Sequence, residues 1–253
     1  MIDKKSDHHT HTIYSDGNAT IDELAECAIE KGIRKIAITD HMPLPFKTRY
    51  AMAKDLLGKY RADIERSKDN YSHRIDIVAG LEIEFIPELR EWIKSISDLK
   101  WEQLTASVHS IMVDGKHCLV NGESHEFNQT IDLGFSGEIK DFCRTYYKIL
   151  KEAVETGCFQ IVGHLDVLKK HNRDKQFFDD SESWYQEIVF DLLDSIREKR
   201  MAVEINTAGY LHPVAEPYPS SWIIMACQKK EIPLVLSSDA HKKESLGQFF
   251  SKM

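Results

Sequence analysis

The sequence lacks any apolar run approaching the roughly 20 residues that a membrane-spanning helix requires, so no transmembrane helix is expected. Its first residues, MIDKKSDHHTH, lack the apolar stretch of a secretory signal. There is no CxxC pair. Cys27, Cys118, Cys143, Cys158 and Cys227 are odd in number and far apart, which argues against a disulfide framework or a thiolate zinc site. The pattern reads as reduced thiols in a cytoplasmic protein. Gly 12 and Pro 7 are too few for a linker-rich or collagen-like chain. Positive charge is also in deficit, with Lys+Arg 33 against Asp+Glu 41 and a net charge of −8. That balance disfavours a partner such as nucleic acid or a membrane surface. It leaves room for an anionic small molecule, because bound cations supply positive charge locally.

Several hydrolytic signatures are missing as well. The chain holds no GxxxxGKS/T, no GxGxxG and no GxSxG. No cysteine begins a Cx5R loop, and no DxDxT/V offers an aspartyl nucleophile. Water activated by metal is the hydrolytic chemistry left.

What the sequence does have is a core and histidines. Apolar residues make up 42% of 253, enough for a large core, and α/β barrels commonly use this length as one unit. Six short apolar runs recur, RKIAITDH, RIDIVAGLEIEF, QLTASVHSI, QIVGHLDVL, MAVEINTAG and IPLVLSSDAH, and the N-terminal SDHHTHT adds a seventh candidate strand. Near-continuous runs suit parallel strands buried on both faces. Amphipathic helices lie between them. Thr20 and Glu23 form a capping box before Ile21, Leu24, Ala25 and Ala28. Further helices are expected near 138–156 and 184–199. Alternation of strand and helix predicts a parallel α/β sheet, either a closed barrel or an open doubly wound one. One domain, 1–253, is expected, with a polar, Gly-dotted loop insertion at about 112–137.

Histidines and carboxylates fall at the ends of these strands: His9 and His11, Asp40 and His41, Glu82 and Glu84, His109, His164, then Asp239 and His241. In parallel α/β folds that C-terminal edge builds the active site. Residues i and i+2 of a strand share a face, so His9 pairs with His11 and Asp239 with His241, while His8 points away. Imidazole and carboxylate without thiolate suit zinc, iron or manganese. So many donors exceed the needs of one ion and predict a polynuclear centre of the kind that clamps phosphoryl groups.

The ordered motifs DHHTH, YSDG, TDH, GLE, SVHS, GHLD and SSDAH resemble the polymerase-and-histidinol-phosphatase (PHP) family from Asp7 to His241. TDHMPLPF, AGLEIEF, EINTAG and IPLVLSSDAH are most similar to its histidinol-phosphate phosphatase subgroup. The resemblance implies a distorted (β/α)7 TIM-like barrel with three divalent metal ions in its mouth. It implies one ion on His9, His11, Glu82 and Asp239, a second on Asp16, His41 and His241, and a third on Glu82, His109 and His164. Asp16 stands where some relatives use histidine. The implied activity is hydrolysis of L-histidinol phosphate in histidine biosynthesis, through a metal-bridging hydroxide with Asp239, His241 and Glu82 as catalytic residues.

Other roles are expected by position. Asp40 would orient a histidine ligand. Lys47, Arg49, Lys169 and Arg173 are candidates for touching phosphate. Phe46 and Glu84 would face an imidazole, and Asn206 and His212 would line the pocket. His73, His117 and His125 are read as surface or loop residues. The alternatives are a PHP phosphoesterase acting on another phosphomonoester or on nucleic-acid ends, a non-catalytic metal-binding protein, and an amidohydrolase-type enzyme. Oligomeric state is not legible.

Overall fold

The computed structural model describes residues 2–253. Seven parallel strands form one sheet: β1 (Ser6–Thr10), β2 (Lys35–Ile38), β3 (Asp76–Glu84), β4 (Gln103–Ser107), β7 (Ile161–Val162), β8 (Ala202–Asn206) and β9 (Leu234–Ser237). Their order is β1-β2-β3-β4-β7-β8-β9, so each strand lies beside its predecessor around a ring. All seven coincide with the seven candidate strands of the sequence. A parallel bridge from Thr10 to Ala240, with His11 N–H donating to Ala240 O at 2.9 Å, nearly closes the ring between β1 and the chain after β9. The result is a distorted TIM-like barrel, and the open-sheet alternative falls away.

Buried Asp7 fastens that seam. Its carboxylate accepts from Ser238 N at 2.9 Å, Ser238 Oγ at 2.5 Å and Gly247 N at 3.0 Å. Burial raises its pKa to about 6, against the pull of those bonds.

Seven helices clothe the strands: α1 (Ile21–Glu30), α2 (Leu57–Tyr71), α3 (Arg90–Ser97), α4 (Ser124–Phe135), α5 (Ile139–Thr156), α6 (Ser183–Glu198) and α7 (Ser221–Lys229). The capping box of α1 is present, with Glu23 N–H on Thr20 Oγ1 and Thr20 N–H on Glu23 Oε2. α5 turns Phe142, Tyr146, Leu150 and Ala153 inward, all fully buried. Each such large apolar side chain contributes about 1.5–3 kcal/mol of transfer free energy.

Residues 112–137, expected as a loop insertion, are mostly regular structure. β5 (Ser110–Val113) and β6 (Lys116–Leu119) form an antiparallel hairpin, and α4 follows. The turn is Asp114-Gly115, with φ of 48° and 75°. Positive φ at both central residues matches the strand twist and is what an Asp-Gly pair permits. Phe127 of α4 is fully buried and packs edge-on against Phe142 of α5. The segment is therefore a packed wall beside the barrel mouth.

Candidate metal centre

Because the strands run parallel, their C-terminal ends share one rim, and the histidines and acids meet there. Glu82, at the end of β3 and 1% exposed, is the hub. Its Oε2 lies 3.3 Å from His9 Nε2, 3.6 Å from His11 Nε2 and 2.8 Å from His41 Nδ1. Its Oε1 lies 2.9 Å from His164 Nε2 and 3.2 Å from His109 Nε2. Asp239 Oδ1 approaches His11 Nε2 at 3.2 Å and His9 Nε2 at 3.8 Å. Asp16 Oδ2 stands 3.3 Å from His241 Nε2 and 3.7 Å from His41 Nε2. His8 pairs with Gln103 Oε1 instead, as its opposite facing requires.

Donor atoms within 4.8 Å of one another form three overlapping groups: His11, Asp16, His41 and His241; His9, His11 and Glu82; His41, Glu82 and His109. Among the described residues, His9 Nε2, His11 Nε2, His41 Nδ1 and Glu82 Oε2 are buried without a hydrogen-bond partner. Orphaned lone pairs are costly unless something accepts them. Every ion pair of Asp16, Glu82 and Asp239 among the described residues is with histidine, none with Lys or Arg. Imidazole nitrogens and carboxylate oxygens in this arrangement fit divalent cations such as zinc.

Electrostatics keep the carboxylate donors ionised. Burial opposes ionisation of Glu82, but His41, His9 and His109 overcome it and hold the carboxyl well below its usual range. Asp239 is likewise lowered against burial, by His9 and His11. Burial, with repulsion from His241, lowers His11 to about 3 and leaves it neutral. His241 rises to about 9 despite burial, because Asp16 and Asp239 face it.

Convergence of Asp239 and His241 has a different cause from the one expected. β9 stops at Ser237, and Asp239 adopts φ 52°. A left-handed turn, which Asp tolerates better than most residues, brings the pair in, rather than strand alternation. Asn206 Nδ2 then holds Asp239 Oδ2 at 3.0 Å.

Several expected roles are corrected. Asp40 hydrogen-bonds to no histidine among the described residues; it accepts from Thr12 N and Oγ1 and from Ser15 N and Oγ, so it shapes the loop that carries Asp16. Glu84 is buried under His109, accepting from its Nδ1 at 2.5 Å and from Ser110 N at 2.9 Å, and does not line the pocket. Asn206 is fully buried and supports Asp239 from behind. Phe46 stacks on His117 at 4.2 Å, and with Lys47 it lines a neighbouring cleft. Lys169 turns inward onto Asp166, Glu216 and Ser220. Arg173 is exposed beside Asp174.

Arg49 and His212 do line the mouth, a cavity of about 400 Å³. Arg49 is 67% exposed and holds Glu126 at 2.9 Å. His212 is lowered to about 4, by burial first and then by Lys170. Lys170, Tyr50 and Tyr218 also line the cavity and escaped the sequence reading. Lys170 Nζ meets only backbone oxygens, Asn121 O at 2.8 Å and Gly122 O at 3.3 Å. The Tyr50 ring lies 4.9 Å from that of His41; burial, then Glu84 and Glu82, raise its pKa and keep the phenol protonated. Glu204 was missed too. It accepts from His9 Nδ1 at 2.6 Å, and a carboxylate inside the apolar run MAVEINTAG was the available signal.

The model of the PHP domain family matches residues 7–208. A Deinococcus radiodurans protein named "probable histidinol-phosphatase" is 30% identical over 249 residues, covering 97% of this chain and 89% of its own. The histidinol-phosphatase of Bacillus subtilis is 28% identical over 261 residues, covering 96% of each. The crystal structure of histidinol phosphate phosphatase from Lactococcus lactis, complexed with zinc, L-histidinol and phosphate, superposes with a TM-score of 0.74. It is 21% identical and covers 95% of this chain and 87% of its own, a likeness of fold.

Proposed function

The chain belongs to the PHP domain family, and from that premise we propose that it is a metal-dependent phosphatase that hydrolyses L-histidinol phosphate to L-histidinol and phosphate. The observation that carries this reading is the ring of unpartnered imidazole and carboxylate atoms around Glu82. His9, His11, Glu82 and Asp239 would hold one ion; Asp16, His41 and His241 a second; Glu82, His109 and His164 a third. Zinc, iron and manganese all suit these donors. Such ions would activate water as the nucleophile and polarise the phosphoryl oxygens.

The chain's own groups do the rest. A mouth of about 400 Å³ accepts a small phosphate ester. Lys170 presents an ammonium that no carboxylate among the described residues pairs with, which suits phosphate. Arg49 adds charge at the rim, and neutral His212 offers a hydrogen bond to the organic part. Glu82, Asp239 and His241 keep the reacting atoms in place. Hydrolysis breaks the P–O bond, so the oxygen of water ends in phosphate and histidinol leaves with its own oxygen and a proton. No phosphoenzyme forms. Five free cysteines suit a reducing compartment such as the cytoplasm, and no helix among the described residues is long and apolar enough to cross a membrane.

Turnover of histidinol phosphate, generic phosphomonoesters and oligonucleotides, run side by side, tests the substrate. We expect kcat/KM highest for histidinol phosphate, with ¹⁸O from labelled water found in phosphate alone. Faster turnover of another ester or of oligonucleotide ends overturns the substrate assignment. Label in the alcohol overturns the mechanism.

A further inference from the structure

Two buried carboxylates stand behind the donor ring, one on each side of Glu82. Glu204, from β8, accepts from His9 Nδ1 at 2.6 Å. The same carboxylate accepts from Ser237 Oγ and His164 N, each at 2.5 Å, tying β9 and the end of β7 to β8. Glu84, at the end of β3, accepts from His109 Nδ1 at 2.5 Å. It also takes the N–H groups of His109 at 3.1 Å and Ser110 at 2.9 Å. Both acids are 1% exposed. A neutral imidazole whose Nδ1–H is held in this way offers its Nε2 lone pair. His9 Nε2 faces Oε2 of Glu82, and His109 Nε2 faces Oε1. His164, by contrast, has no partner for its Nδ1 among the described residues.

We propose that Glu204 and Glu84 are positioning residues that each fix the tautomer of one histidine, His9 and His109, so that two ions can share Glu82 through its opposite oxygens. This rests on the metal reading of the site, not on the substrate. Partners of this kind typically change metal affinity 10–100-fold.

Glu84→Gln is the sharper test. The backbone amides of His109 and Ser110 need an oxygen, so the new carbonyl turns towards them. The amide nitrogen then faces His109 Nδ1, which must accept, and the ring proton moves to Nε2, where it blocks the ion. Size and polarity are otherwise kept.

Zinc content per chain is read by mass spectrometry after loading and dialysis, together with the rate of zinc release to a chelator. Circular dichroism of the metal-free proteins checks folding. We expect Glu84→Gln to lose one zinc per chain selectively, with release of that ion about 10–100-fold faster. Glu204→Gln should weaken the ion on the His9 side instead. Should that variant fail to fold, Glu84→Gln decides alone. Variants that fold and retain zinc as tightly as the unmodified chain overturn the proposal. An unmodified chain that binds no zinc overturns the metal reading beneath it.

Discussion

Replacing Asp40 with alanine should loosen the loop that presents Asp16. The Asp40 side chain is fully buried. It accepts four hydrogen bonds: Thr12 N at 2.9 Å, Thr12 Oγ1 at 2.8 Å, Ser15 N at 3.0 Å and Ser15 Oγ at 2.6 Å. Alanine strands two backbone N–H groups, and a buried unsatisfied donor costs about 1–3 kcal/mol. The hydroxyls can rotate to other acceptors. Removing the acid also relieves its own desolvation, which pushes its pKa up against the Ser15 and Thr12 bonds. A net loss of about 3 kcal/mol follows, or roughly 6–12 °C in Tm for a chain of this size. Asparagine behaves differently. Its oxygen can occupy the Oδ1 position, where Thr12 N, Ser15 N and Ser15 Oγ converge, and its NH2 can donate to Thr12 Oγ1. The cost should stay near 1 kcal/mol. Thermal and urea unfolding in excess chelator removes any contribution from ion binding. Equal stability of Asp40→Ala and the unmodified chain would refute the reasoning, as would Asp40→Asn being as damaging as Asp40→Ala.

Gly17 offers a related probe, because a Cβ there would sit 2.5 Å from His11 O and 2.7 Å from Thr12 N. Gly17→Ala must shift the Asp16 loop, so we expect an overpacking cost of about 1–3 kcal/mol. Ion content should fall as well, measured by mass spectrometry of the folded protein. Lys170→Ala should lower kcat/KM for a phosphomonoester about 10–100-fold, through loss of a charge-assisted contact of about 1.5–3 kcal/mol. Arg49→Ala should lower it less than about threefold, because its exposed pair with Glu126 is a weak surface contact. Steady-state kinetics on both variants checks the order, and a reversed order contradicts the placement of phosphate.

Six of the barrel strands were legible because strands covered on both faces leave continuous apolar runs, β1 because of its histidines, and α1 because Thr20 and Glu23 announce its start. The hairpin Ser110–Leu119 was not read as a pair of strands, although Asp114-Gly115 marks its turn, because no residue from Met112 to Leu119 is buried and the stretch leaves no continuous apolar run. The candidate donors stood out by residue type at strand ends, except Asp16, which lies in the loop after β1 and entered through the family resemblance. Their supports were not. Nothing in consecutive lysines reveals that the turn Val167–Lys169 sends Lys169 into Asp166 and leaves Lys170 at the mouth. Asp40 and Glu84 look alike in sequence, each beside a histidine or a glutamate of the site. One holds a loop and the other holds an imidazole, and only the packing around them distinguishes the two.

The central claim is that donors from His9 to His241 cage more than one catalytic cation. It is tested most directly by titrating the purified protein with chelator while counting bound metal per chain and assaying histidinol phosphate hydrolysis on the same samples. The account predicts more than one ion per chain at full activity, loss of activity in step with loss of metal, and recovery when divalent ions are restored. Full activity in protein stripped of metal would contradict it.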